Sequence, residues 1–251
     1  MTIDWKGWKP YLCNVNSNPA SILVDLDLRS LAPIAGKPWL LWAWVYFQSP
    51  RSDGLSSGSE APILYEIEDA LYEQVSELCR AQPCGRITTE GRREFYFYGE
   101  TDTGFRKAVE NALRVFEKYK FDLGTKRDPL WHQYLNVLYP SPEDLQRIAN
   151  MDLLDVFAKQ GDIHSVPREV QHWLYFRSSA DRSRFRDAAS AAGFTIMSEK
   201  ASDNSTPFGI SVVRVQPIDQ VAIDGTVLEL QILAQNFNGD YDGWEAPVIT
   251  Q

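Results

Sequence analysis

Two rounds of strand-like alternation and helical periodicity run along the chain, and they predict two α+β units in series. In the first, Ala20 to Leu28 alternates apolar and polar positions from Ile22 onward, the period of a half-buried strand with Asp25 and Asp27 on its wet face. Trp39 to Phe47 is apolar on both faces, as a central strand covered on two sides requires. Ile63, Ile67, Leu71, Val75 and Leu78 recur at helical spacing. Arg86 to Tyr98 reads as a hairpin turning at Glu90-Gly91, and Thr103 is placed to cap a helix with Phe105, Val109, Leu113 and Phe116 on one stripe. Trp131 to Tyr139 is expected to be the last strand of this unit.

Ser141-Pro142-Glu143-Asp144 is a helix start, with a capping hydroxyl, proline in the first turn and acids that complement the dipole. This helix connects the units, and the boundary is expected near residue 149, giving domains 1–149 and 150–251. In the second round, His172 to Arg177 is a short strand, Ser179 caps a helix that Gly193 ends, and Phe194 to Met197 and Phe208 to Val215 are strands joined by a polar loop. Asp219 opens a helix carrying Ile223, Val227, Leu230, Ala234 and Phe237, ended by Gly239, and Asp242 to Ile249 supplies a final strand. The order β-α-β-β-α-β is that of a split βαβ unit, and the first round, with an added leading strand, reads the same way. The expected fold is therefore two ferredoxin-like sandwiches with antiparallel sheets in tandem.

Composition fits this picture: 251 residues, 44% hydrophobic and 24% charged, are enough for two globular units with real cores. The longest apolar run, Pro38 to Phe47, is about half a membrane span, and the first residues lack a signal peptide's basic start and apolar middle, so a cytoplasmic location without membrane contact is expected. Cys13, Cys79 and Cys84 give an odd count and no disulfide framework. Net charge is −9, of which −3 falls before residue 150 and −6 after it. From Asp219 to the end the chain carries Asp219, Asp224, Glu229, Asp240, Asp242 and Glu245 and no Lys, Arg or His. Such a surface repels nucleic acid and attracts a basic protein segment.

No motif for catalysis competes with that reading. His132, His164 and His172 have no metal-ligand spacing, and Walker, Gly-x-Ser-x-Gly and dinucleotide-binding signatures are absent. Asp240-x-Asp242-Gly243 with Glu245 resembles part of a calcium loop, but Trp244 and Pro247 interrupt it, so no metal or cofactor is expected. Phe95 to Tyr98, preceded by Arg92 and Arg93, has the look of an RNA-stacking strand; core packing is the better account of four consecutive aromatics in an acidic unit. Gly243 and Trp244 are expected to make a tight turn and close the core, leaving the acids beside them to point outward.

Gly161-Asp162, Pro167-Arg168, His172-Trp-Leu-Tyr-Phe, Ala192-Gly193-Phe194 and above all Tyr241-Asp242-Gly243-Trp244-Glu245 resemble the regulator of ribonuclease activity B family. The resemblance implies a ferredoxin-like fold, a bacterial cytoplasmic setting and a non-enzymatic protein that binds a ribonuclease of the ribonuclease E type outside its catalytic centre. In the regulators a long acidic tail follows this motif; here the expectation rests on the domain's own carboxylates. Separately, Pro38 to Leu55 and Arg86 to Tyr98 resemble a domain family of unknown function that often precedes this one. The expected partner-binding residues are Asp219, Asp224, Glu229, Asp240, Tyr241, Asp242 and Glu245. Alternatives are an immunity-type protein that neutralises a basic toxin, and an enzymatic or ligand-binding first unit with a pocket lined by Trp42, Trp44 and Tyr96.

Overall fold

The computed structural model describes residues 5–201 and 207–250 and divides the chain into two compact units, Met1–Asp144 and Leu145–Gln251. In the first, β1 (Trp8–Val15) and β2 (Asn18–Asp25) form a hairpin whose turn residues Asn16 and Ser17 take positive φ. Then follow β3 (Trp39–Tyr46), α1 (Ala61–Cys79), β4 (Gln82–Thr89), β5 (Arg92–Gly99), α2 (Phe105–Leu113) and β6 (Phe121–Arg127). The sheet order is β1-β2-β4-β5-β3-β6 with antiparallel neighbours. Its four strands from β4 to β6 repeat the order of a split βαβ sandwich, and the β1-β2 hairpin extends one edge.

The predicted hairpin turn holds, with Glu90 at φ 48° and Gly91 at φ 75°, the left-handed pair that matches strand twist. On the helix-bearing face, Leu41, Ala43, Val45, Phe95 and Phe97 pack against Leu64, Ile67, Leu71 and Val75 of α1 and Phe105 and Val109 of α2. Burying each such side chain stabilises the fold by about 1.5–3 kcal/mol. Two ends of the expected α1 stripe, Ile63 and Leu78, instead face solvent at 41% and 39% exposure, because the stripe continues to Cys79. The start of α2 is set by Gly104 at φ 88° and not by a Thr103 cap.

The largest correction concerns Trp131 to Tyr139. The last strand of the unit is β6, where Phe121, Leu123 and Thr125 alternate beside β3, and the later segment is a helical turn. Asp128 drives this turn: its carboxylate accepts from the Gln133 N–H at 3.1 Å and from the Tyr98 hydroxyl at 2.6 Å, while His132 Nδ1 lies 3.0 Å away. Trp131 stacks on Tyr98 at 4.0 Å, and the Tyr134 hydroxyl donates to the Asp25 carbonyl, so the turn roofs the sheet face opposite the helices.

The second unit contains most of α3 (Pro142–Lys159), then β7 (Arg168–Phe176), α4 (Ser179–Ala191), β8 (Thr195–Lys200), β9 (Phe208–Gln216), α5 (Gln220–Gln235) and β10 (Gly239–Glu245). Its sheet order, β10-β7-β9-β8, is again that of a split βαβ sandwich, all antiparallel. The polar loop expected between β8 and β9 falls largely outside the described residues. Ser141 caps α3 as expected; Ser178, one residue before the expected Ser179, caps α4 by accepting from the Asp181 N–H. Leu174, Phe176, Ile210 and Val212 pack on Phe185, Ala189, Leu230 and Ala234, while Val170 and Trp244 pack with Ile223, Val227, Leu154 and Phe157. The final strand begins at Gly239, earlier than the expected Asp242; a Cβ there would lie 2.2 Å from the Phe176 ring.

Candidate functional site

Among the described residues β10 is an edge strand paired with β7 alone, and it carries Asp240, Asp242 and Glu245. A bulge decides where its side chains go. Tyr241 pairs with Leu174 and Gly243 with Trp173, leaving Asp242 as the extra residue. Tyr241 and Trp244, three residues apart, therefore both face the helices, whereas Asp240 and Glu245, five apart, share the opposite face. Without the bulge an odd separation would have split each of the latter pair across the sheet.

The inward pair is held by polar contacts. Trp244 Nε1 donates to the Asn150 side-chain oxygen at 3.1 Å, its ring stacks on Phe157, and the Tyr241 hydroxyl lies 2.9 Å from His172 Nδ1. Burial first, then the Arg214 charge, pushes the His172 pKa down to about 3, so this fully buried imidazole is neutral at pH 7. Burial raises the Tyr241 pKa well above that of a free tyrosine, and the nearby Asp242 charge adds to it.

The seven expected partner-binding residues fall into two groups. Asp219 caps α5, accepting from the Ala222 N–H at 3.1 Å. Asp224 accepts from Asn150 and Gln220, each at 2.8 Å, which makes it the outer end of the network that fixes Trp244. Glu229 is clasped by both terminal nitrogens of Arg214, at 2.7 and 3.2 Å. Tyr241 is half-buried on His172. Asp240, Asp242 and Glu245 are exposed on β10, and among the described residues none is held in an ion pair or hydrogen bond. Pairing of β10 with β7 adds Glu169, an exposed diagonal neighbour of Glu245 that sequence reasoning missed because it lies on a distant strand. The same sheet face bears the half-buried rings of Trp173 and Tyr175.

A buried clasp supports this edge from below. The Arg168 guanidinium donates to Asp162, to the Pro247 carbonyl at 2.9 Å and to the Ile163 carbonyl at 2.6 Å, and Asp162 also accepts from the Ile249 N–H. Neither charged side chain has more than 2% of its surface exposed. Burial opposes the charge on Asp162, but the bonds from Arg168 and Ile249 outweigh it and keep the carboxyl below its usual range.

In the first unit, Trp42, Trp44 and Tyr96 pack against neighbouring groups. Trp42 lies flat on Gly124, where a Cβ would be 2.3 Å from the ring, Arg92 stacks over Trp44 at 4.6 Å, and the Tyr96 hydroxyl donates to Glu94. Phe95, Tyr96, Phe97 and Tyr98 are all buried. Among the described residues no group of three His, Cys, Asp or Glu is placed to hold a metal ion, and no helix is long and apolar enough to cross a membrane.

Residues 6–139 match the family of unknown function DUF695, and residues 147–246 match the family Regulator of ribonuclease activity B, a regulatory and not an enzymatic family. No curated protein matches the chain. Solved structures superpose only loosely. An unknown protein from Galdieria sulphuraria is 13% identical, with 84% of this chain and 99% of that one covered, at a TM-score of 0.23. A hypothetical protein is 8% identical, with 98% and 96% covered, at a TM-score of 0.19.

Proposed function

We propose that this chain, which belongs to the family of unknown function DUF695, is a non-enzymatic regulator whose second domain binds a basic segment of a ribonuclease through the β10 edge. The observation that carries this reading is the freedom of Asp240, Asp242 and Glu245, joined by Glu169, beside three neighbouring carboxylates that the fold has already engaged. Exposed ion pairs contribute only about 0.2–1 kcal/mol each, so the patch steers encounter and sets orientation more than it sets affinity. A partner rich in Arg gains most, because the guanidinium fork fits a carboxylate and stacks on aromatic faces such as Trp173 and Tyr175.

The test is a binding titration of the full chain against the non-catalytic, basic region of a ribonuclease of the ribonuclease E type, at low and high salt. Triple substitution Asp240→Asn, Asp242→Asn and Glu245→Gln is expected to weaken binding about tenfold or more and to flatten its salt dependence. Asp219→Asn, which retains a capping side chain, should bind as the parent does. Equal affinity of parent and triple variant at every salt concentration would sink the proposal.

A further inference from the structure

Arg86 and Arg93, on neighbouring strands of the first domain, converge on one carboxylate. Arg86 Nη1 donates to Glu68 Oε2 at 2.6 Å, and Arg93 Nη1 stands 3.7 Å from the same oxygen without a hydrogen bond. Glu68 and Arg93 are 2% and 3% exposed. Both guanidinia lie against the ring of Tyr65, at 5.4 and 5.3 Å, and Arg93 also donates to Thr88 Oγ1. The second oxygen of Glu68 is buried and, among the described residues, has no hydrogen-bond partner. Burial pulls the Arg93 pKa down to about 10, with the Arg86 charge adding to it, and burial pushes the Glu68 carboxyl up.

Beside this cluster is a cavity of about 280 Å³, lined by Trp5, Leu23, Tyr65, Glu68, Asp69 and Arg86. Leu23 and Arg86 are cross-strand partners that form its floor, and Tyr65, Glu68 and Asp69 come from one face of α1. Trp5 and Tyr65, 44% and 51% exposed, stand at its mouth. The volume is just below the range of about 300–1,000 Å³ usual for ligand pockets, so the occupant is small.

The charge pattern narrows its chemistry. A simple anion drawn to Arg86 would be placed against Glu68 and Asp69, and a simple cation drawn to those carboxylates would face Arg86. We infer that the first domain binds a small zwitterion, with a carboxylate and an ammonium group a few bonds apart on an apolar body, in this groove between α1 and the β2-β4 pair. Arg86 takes the carboxylate with the donors its bond to Glu68 leaves over. Asp69 at the rim takes the ammonium, which also lies against the Trp5 and Tyr65 faces, while the buried Glu68 contributes its charge from beneath. Leu23 and the aromatic rings cover the apolar part. Neither family match assigns such a site, and the inference is independent of the acidic edge on the second domain.

The probes are L-phenylalanine, phenethylamine, which lacks its carboxylate, and 3-phenylpropionate, which lacks its ammonium. Each is titrated into the full chain and followed by amide chemical shifts. L-phenylalanine is expected to give saturable shifts at Trp5, Leu23 and Tyr65, and each single-charge analogue to bind about tenfold more weakly or worse. Asp69→Asn and Tyr65→Ala alter exposed positions and leave the buried ion pair in place; each should weaken L-phenylalanine about fivefold or more. Absence of saturable shifts at millimolar ligand, equal binding of an analogue, or folded variants that bind like the parent would each overturn the inference.

Discussion

Both domains lay down the same order of four strands with two helices on one face, yet they treat the other face differently. In the first, the turn from Asp128 to Tyr139 folds back over the sheet, placing Trp131 on Tyr98 and tying the Tyr11 hydroxyl to the Leu138 carbonyl. In the second, Val170, His172, Leu174 and Phe176 are buried under the helices, while the alternate residues Glu169, Gln171, Trp173 and Tyr175 remain partly or fully exposed. The lesson is that a shared topology specifies a core, and a roof or its absence specifies what the domain presents. Each domain also relies on a buried carboxylate, but of a different kind: Asp128 accepts largely from neutral donors, whereas Asp162 faces a guanidinium.

The sharpest way to break this comparison is to remove the cation of the second clasp. Arg168→Ala leaves Asp162 buried without its partner, and a loss of about 3–5 kcal/mol is expected, read as the urea midpoint of the second domain's transition. Asp128→Ala, in the first domain, orphans the Tyr98 hydroxyl and the Gln133 N–H and should cost about 1–3 kcal/mol. Its signature is a red shift of Trp131 emission as the roof lifts.

Acid separates the domains further. The folded pKa of His172 lies near 3, below the ordinary value of 6.5, so the unfolded chain binds the extra proton. Stability of the second domain is thus complete above about pH 6.5 and is lost progressively as pH falls toward 3. Burial opposes the charge on Asp128, and hydrogen bonds from Tyr98, Gln133 and His132 outweigh it, so its carboxyl also titrates low. That contribution is present above the ordinary aspartate value near 3.8 and disappears only below it. Hydrogen exchange measured between pH 7 and 4.5 is therefore expected to show faster opening at β7 and β10 than at β3 and β5. Equal acceleration in both sheets would contradict the assignment of His172.

The smallest effects distinguish the acids of the second domain. Asp224→Ala breaks the bond to Asn150 behind Trp244 and should cost about 1 kcal/mol. Asp240→Asn should change stability by less than about 0.5 kcal/mol while altering partner binding. Thermal melts of the two variants side by side check whether the division between engaged and free carboxylates is real.

Much of this was legible in the residues. The apolar run of β3, the Glu90-Gly91 turn, the Ser141 and Asp219 caps and the helical stripe of α5 follow from local periodicity and capping, which are encoded within a few positions of one another. The Trp131 to Tyr139 segment, expected as a strand, is a helical turn because the Asp128 carboxylate, three residues before Trp131, accepts from the Gln133 N–H. Among the acids, the sequence supplied the whole candidate set except Glu169, but no local signal tells a free carboxylate from one that caps a helix or pairs with Arg214.

What the chain by itself determined is therefore the two α+β rounds, the acidic balance of the second and the aromatic signature that closes it. Tertiary structure alone decided which carboxylates stay free, because Asn150 and Arg214 reach Asp224 and Glu229 only once α3, β9 and α5 are packed together. It also decided that Asp240 and Glu245 share a face, since the bulge at Asp242 exists only when β10 pairs with β7. Both outcomes depend on contacts between residues far apart in sequence, and such contacts leave no trace in the pattern of either segment.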